Sequence, residues 1–226
     1  MNPHIRVDFV SDVSCPWCVI GLRALQEAVS RVQAAAGVDI HFQPFELNPD
    51  MVAEGEDTVE HLAKKYRMTP EQAANSRESI RARGAALGFE FRLYKRTRIY
   101  NTFDAHRLLY WAELEGKQLA LKEALFAAYF THGESPASHE VLLRIATEVG
   151  LDAARAGEIL GSDRYAAEVR EREHYYLDNG IHAVLAVIIN ERFLISGGQP
   201  AEVFERALRQ AASESAATDA SAERSL

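Results

Sequence analysis

The five residues Ser14-Cys15-Pro16-Trp17-Cys18 constrain this chain more than any others, because they hold both of its cysteines and stand at a change of period. Before them, Ile5-Arg6-Val7-Asp8-Phe9-Val10 alternates apolar and polar residues, the pattern of a β-strand with one buried face. After them, Ile20, Leu22, Leu25, Ala28, Val29 and Val32 recur at helical spacing, so a helix opens at or just after Cys15. Strand, tight turn, Cys-x-x-Cys and helix is a context in which such a pair points to redox chemistry.

A helix N-terminus presents free N–H groups and the positive end of the helix dipole, and both favour a thiolate over a thiol. A thiol placed there falls from about 8.5 into the range of roughly 3.5–7.5. Cys15, the earlier residue, is therefore expected to be an exposed nucleophile. Cys18 lies one turn further in on the same side, placed to attack a mixed disulfide formed at Cys15. Pro16 suits the first turn, where no N–H is required, and Trp17 is expected to cover the site or touch substrate. The competing readings are a structural disulfide, half of a zinc site, or two buried thiols. With only two cysteines, a four-cysteine zinc site within one chain is excluded.

Of 226 residues 47% are hydrophobic, enough for one large domain or one domain carrying an insertion. The 25 Lys+Arg against 33 Asp+Glu leave a net charge of −8, and no basic stripe is interleaved with aromatics, so no nucleic-acid partner is expected. No apolar run nears the ~20 residues that span a bilayer, so no membrane partner is expected either. The first strand follows Met1 too closely to leave room for a signal peptide, and the cytoplasm is the expected compartment. In that reducing setting a cysteine pair is more often catalytic, redox-sensing or metal-binding than a permanent staple.

Along the chain, Gly37 ends the first helix and Val38–Phe45 alternates as a second strand, which suggests a right-handed βαβ unit with parallel pairing. From Asp57 to about Tyr175 the signals are helical, apart from a short strand candidate at Phe89-Glu90-Phe91. Thr58 is the expected cap of a helix to Tyr66, and Thr69-Pro70-Glu71 opens the next. Asn101 or Thr102 caps an apolar helix ending near Gly116, and further helices are expected at 118–131, 138–149, 152–160 and 162–176. The run 183–190 then reads as a buried strand, Phe193–Ser196 pairs back as a hairpin, and a last helix runs from Gln199 through Arg209. Beyond Gln210 little is available to bury, so that tail is expected to be disordered. This order is that of an α/β thioredoxin-like fold interrupted by a large all-helical insertion: residues 1–56 and 177–210 form the two parts of the thioredoxin-like domain, 57–176 the insertion and 211–226 the tail.

The residues resemble the DsbA-like thioredoxin-fold oxidoreductases, and specifically their cytoplasmic FrnE-like branch. The resemblance is carried by Ser11–Gly21, Phe45–Pro49, Asn101–Arg107, Glu123–Phe130 and Ile195–Pro200, in order over residues 5 to 209. It implies dithiol–disulfide exchange, with Cys15 attacking and Cys18 resolving. Kappa-class glutathione transferases and 2-hydroxychromene-2-carboxylate isomerases are similar more distantly; they usually carry serine at the position of Cys15, so the two cysteines favour redox chemistry, with a glutathione-dependent isomerase or transferase as the alternative activity. The resemblance also implies a cis-proline before the third strand, where this chain has Leu185 after Val184. A cis bond before a non-proline residue costs about 2.5–4 kcal/mol, so Val184–Leu185 is expected to be trans. Val184 and Leu185 then mark the substrate-docking edge, altered in a way that could open the thiols to a metal ion or a client. No organic cofactor is implied. The expected partners are protein or peptide thiols and disulfides, glutathione as co-substrate, and a second copy of the chain.

Asn101, Asp104 and His106 are placed by the resemblance toward the active-site face, although helix capping and packing explain them as well. His132 and His139 read as solvated. His174 and His182 have ligand chemistry for zinc beside the cysteines, but no zinc-like spacing. Asp8 and Glu46 could relay protons for Cys18, with exposed strand-end charge as the plainer reading. Phe126 to Phe130 read as core of the insertion, and Arg92, Lys95, Arg96 and Arg98 as a solvated basic loop.

Overall fold

A computed structural model describes residues 3–223. The chain opens with β1 (His4–Ser11), α1 (Pro16–Val32) and β2 (Gly37–Pro44), and β2 runs parallel to β1 with Phe9 opposite Phe42. After a helical excursion come β5 (Ala186–Ile189) and β6 (Phe193–Ser196), both antiparallel to their neighbours, giving the sheet order β2-β1-β5-β6. This is the expected thioredoxin-like arrangement. β1 is central and buried along Val7–Ser11, which is why its alternation fades toward the end that leads into the cysteines.

The excursion holds α2 (Thr58–Tyr66), α3 (Pro70–Ala86), α4 (Phe103–Leu114), α5 (Gln118–Ala127), a π-helical turn (Ala128–His132), α6 (His139–Glu148), α7 (Ala153–Leu160) and α8 (Ala166–Asp178). It also carries a two-residue antiparallel ladder between β3 (Glu56–Asp57) and β4 (Arg98–Ile99). That ladder corrects the strand candidate at Phe89–Phe91, whose Phe89 and Phe91 rings instead pack tilted at 4.7 Å, with Phe91 edge-on to Phe130 at 5.4 Å. It also moves the α2 cap: the Thr58 N–H is engaged by the Thr97 carbonyl, and the Asp57 carboxylate accepts from the N–H groups of Val59 and Glu60. Thr69 and Gln72 close a capping box on α3, with Pro70 in its first turn. α8 starts four residues later than the apolar pattern suggests, because the buried Arg107 guanidinium binds the carbonyls of Ile159, Ser162 and Arg164 and holds that segment out of the helix.

Two cores result. One joins β1, α1 and the final helix α9 (Ala201–Glu223) with Leu185, Val187 and Ile189. Phe126, Tyr129 and Phe130 belong to this core rather than to that of the insertion, so the helical segment is welded to the sheet by its aromatics. The other gathers Leu108, Trp111, Leu121, Leu142 and Ile159 from α4 to α7, with Val13 reaching in from the turn before Cys15.

α9 continues to Glu223, beyond the Gln210 boundary of the expected tail, which corrects that expectation up to the end of the described residues. The apolar face does not stop at Arg209: Ala211 is buried in the first core, and Ser215 bonds Asn190 across the hairpin.

Candidate functional site

Cys15 caps α1 and Pro16 stands in its first turn, the placement expected from the change of period. The Cys15 N–H is held by the Asp12 carbonyl at 3.2 Å, and the Cys18 N–H reaches the Cys15 carbonyl at 3.1 Å. Both residues are free thiols. Cys15 is only 4% exposed, which corrects the expectation of an exposed nucleophile: it is packed into the same cluster as Trp17, Leu47, Val184 and Leu185.

The two thiols are polarised in opposite senses. Cys15 lies below its ordinary range, chiefly because Cys18 hydrogen-bonds its sulfur, and the N–H groups of Cys18 and Trp17 help while burial opposes. Burial pushes Cys18 well up, and its contact with Cys15 adds to that. The pair is biased apart, Cys15 toward the thiolate and Cys18 toward the thiol.

Trp17 is half-buried, with the Arg83 guanidinium 5.1 Å above its ring. Arg83 also donates to the Gly198 carbonyl, and together with Gln199 and Pro200 they border an open groove of about 610 Å3. Facing the motif, Val184–Leu185 is a cis peptide, correcting the expected trans bond. The Leu185 side chain is buried against Gly21 of α1 and its carbonyl accepts the Gly197 N–H at 2.7 Å, so packing and a hydrogen bond hold the segment without a proline ring.

The carboxylate beside the cysteines is Asp12, which the residue pattern did not single out. It is fully buried and accepts the N–H groups of Ser14 at 3.0 Å and Leu47 at 2.7 Å. Burial pushes Asp12 up, but His106 and those two N–H groups outweigh it and hold the carboxyl below its usual range. The His106 Nε2 is 3.8 Å from Asp12, an ionic contact too long for a direct hydrogen bond. Lys122 on α5 was also missed; it is completely buried and feels the charges of Cys18, Asp12 and Cys15. A charged residue inside an apolar helix stripe, Leu121-Lys122 followed by Leu125-Phe126, was the available signal.

The other candidates separate. His106 is buried near Asp12, whereas Asp104 turns away to pair with Arg107 and His139. Asn101 caps the start of α4 by accepting the Phe103 N–H, and it donates to Glu46 at 3.0 Å. Asp8 and Glu46 are not exposed strand-end charges. Asp8 is enclosed with Arg6 and Gln43, and Glu46 with Arg170 and Asn101, because α8 folds across that end of β2. Nor is the basic loop simply solvated: Arg96 lies over the rings of Tyr129 and Phe130, and Arg98 donates to the carbonyls of Glu54 and Gly55. His174 and His182 are exposed, and among the described residues no group of three His, Cys, Asp or Glu is arranged to hold a metal. Among those residues no helix is long and apolar enough to cross a membrane.

Comparison with known proteins converges on one family. The profile of the DSBA-like thioredoxin domain matches residues 6–209. A probable DsbA oxidoreductase of Streptomyces coelicolor shares 34% identity and superposes with a TM-score of 0.86, over 92% of this chain and 90% of its own. The Bacillus subtilis protein YwbO, to which no function is attached, is 28% identical over 92% of this chain and 96% of its own length. At 17% identity, the cytosolic disulfide reductase DsbM of Pseudomonas aeruginosa, solved with glutathione, shares the fold with a TM-score of 0.60 over 91% of this chain and 98% of its own.

Proposed function

The chain belongs to the DsbA-like thioredoxin domain family, and from that premise we propose that it is a thiol–disulfide oxidoreductase working through Cys15 and Cys18. The observation that carries this reading is the opposed polarisation of two free thiols one helical turn apart, Cys15 low at the α1 N-terminus and Cys18 high beneath it.

In the forward sense the Cys15 thiolate attacks a substrate disulfide, one substrate sulfur leaves as a thiolate, and a mixed disulfide remains on Cys15. Cys18 loses its proton and attacks the Cys15 sulfur. The Cys15–Cys18 bond forms as the bond to substrate breaks, and the second substrate sulfur departs with the electron pair. The dithiol has then lost two electrons and the substrate gained them; the same steps reversed oxidise a substrate dithiol. The groove beside Trp17 and the Val184–Leu185 edge receive protein or peptide thiols and disulfides. Glutathione, the thiol solved with the Pseudomonas reductase, serves as small co-substrate in a cytoplasmic setting.

The test is trapping. Cys15→Ser abolishes turnover of a glutathione-mixed-disulfide peptide, and Cys18→Ser accumulates a covalent adduct on Cys15 seen as a mass shift. Full activity in Cys15→Ser would overturn the reading.

A further inference from the structure

The exchange steps leave one buried group unused. Lys122 is 0% exposed, and its Nζ has no hydrogen-bond partner. It stands between the rings of Phe42 and Phe126, 5.8 Å and 5.2 Å from their centroids. The charged groups facing it are Cys15 and Cys18 from α1, Asp12 from the turn before it, His106 from α4 and Arg172 from α8, while β2 contributes Phe42, Gln43 and Pro44. His106 Nε2 is likewise buried without a hydrogen-bond partner. A cavity of about 10 Å3, room for about one water, touches both Lys122 and His106. Gln43, Tyr110 and Arg172 line this cavity and also an open cleft of about 380 Å3 on the α8 side, and that cleft shares no residue with the groove beside Trp17.

An ammonium without hydrogen bonds in the core is costly and calls for a counter-charge. Asp12 is already occupied by two N–H groups and by His106. Cys15 is uncharged once it holds the mixed disulfide, so at the resolving step Cys18 is the thiol left to become an anion near Lys122, and it is the one that burial drives toward the thiol. We propose that Lys122 is a positioning residue for the resolving step: its ammonium is the counter-charge of the Cys18 thiolate, and the cavity it shares with His106 borders the α8 cleft through Gln43, Tyr110 and Arg172, apart from the substrate groove. The inference rests on the oxidoreductase reading above. The S–H bond of Cys18 breaks and its proton passes by water to solvent; the thiolate then makes the Cys15–Cys18 bond, and the electron pair of the broken bond leaves with the substrate thiolate. Lys122 exchanges no electrons. Burial lowers it to about 8, partly countered by Cys18, Asp12 and Cys15, so it remains largely cationic at neutral pH.

The experiment is stopped-flow reaction of the reduced protein with dithiobis(nitrobenzoate), an aromatic disulfide. Attack by Cys15 releases a first nitrobenzoate thiolate, and resolution by Cys18 releases the second. In Lys122→Met the second phase slows about tenfold or more at pH 7 and its pH midpoint rises by about one unit or more, the effect of removing a nearby opposite charge, while the first phase changes far less. Lys122→Gln, measured in parallel, gives the same result, so the outcome does not hinge on the folding of one variant. A second phase with wild-type rate and midpoint in a folded variant overturns the role of Lys122. Absence of any second release in the wild type overturns the oxidoreductase reading on which it rests.

Discussion

Gly21 lies one turn beyond Cys18 in α1, and a Cβ at this position falls 2.0 Å from Leu185 Cδ2 and 3.5 Å from its Cγ. In an open helix Gly→Ala would gain about 1 kcal/mol of propensity. Here the methyl must displace a leucine that is 2% exposed and has no solvent to swing into. Overpacking costs about 1–3 kcal/mol, and an approach of 2.0 Å puts this site at about 2–3 kcal/mol, so Gly21→Ala is expected to be net destabilising by about 1–2 kcal/mol. Leu185→Ala alone opens a cavity and costs about 2–5 kcal/mol. In the double variant the new methyl enters space the leucine has vacated, so the two costs fall short of additivity by about 1 kcal/mol or more. Urea unfolding of the four proteins of this cycle measures each term. A Gly21→Ala variant that is neutral or stabilised beside an intact Leu185, or strictly additive costs, would refute the claim that these two residues compete for one space under the cysteine pair.

Two further perturbations read the buried polar groups. Arg107→Ala strands the carbonyls of Ile159, Ser162 and Arg164 together with the Asp104 carboxylate, and should cost about 3–5 kcal/mol in chemical denaturation; a loss below about 1 kcal/mol would contradict it. Lys122 sits at about 8 in the fold against about 10.4 in the unfolded chain, so between those values the unfolded chain binds more protons and this group's penalty is relieved as pH rises. Lys122→Met should therefore be more stable than wild type at pH 7 by about 1–3 kcal/mol, with the gap closing toward pH ~10.4, and a gap independent of pH would contradict this.

Much of the fold is written in local pattern. β1, α1 and β2 could be read from a switch of period between Val10 and Ile20 and back at Val38, and the β5–β6 hairpin from a short apolar run followed by Phe193–Ser196. Thr69 and Pro70 announced α3 because a capping box is made within four residues. The α2 cap and the late start of α8 were not legible. Thr58 is claimed by Thr97, distant in sequence and next to the β3–β4 ladder, and the segment before α8 is held by Arg107 on another helix. The site divides the same way. Cys15, Pro16 and Cys18 are neighbours along one helical turn, whereas Asp12, His106 and Lys122 come from a turn, α4 and α5, and no local pattern joins them, although Lys122 interrupts an apolar stripe.

What the sequence by itself determined is therefore the part governed by short-range physics: which segments bury one face, where helices begin, and that two thiols share a helix N-terminus. Only the tertiary structure decided the state of those thiols and the groups around them. Burial holds Cys18 high and Lys122 depressed, His106 and the Leu47 N–H brought from distant segments help keep Asp12 low, Cys15 stays low against burial through the bond from Cys18, and the closure of the core sets Leu185 against Gly21. Desolvation and Coulomb interactions depend on distance through space, and a one-dimensional pattern carries no record of that distance.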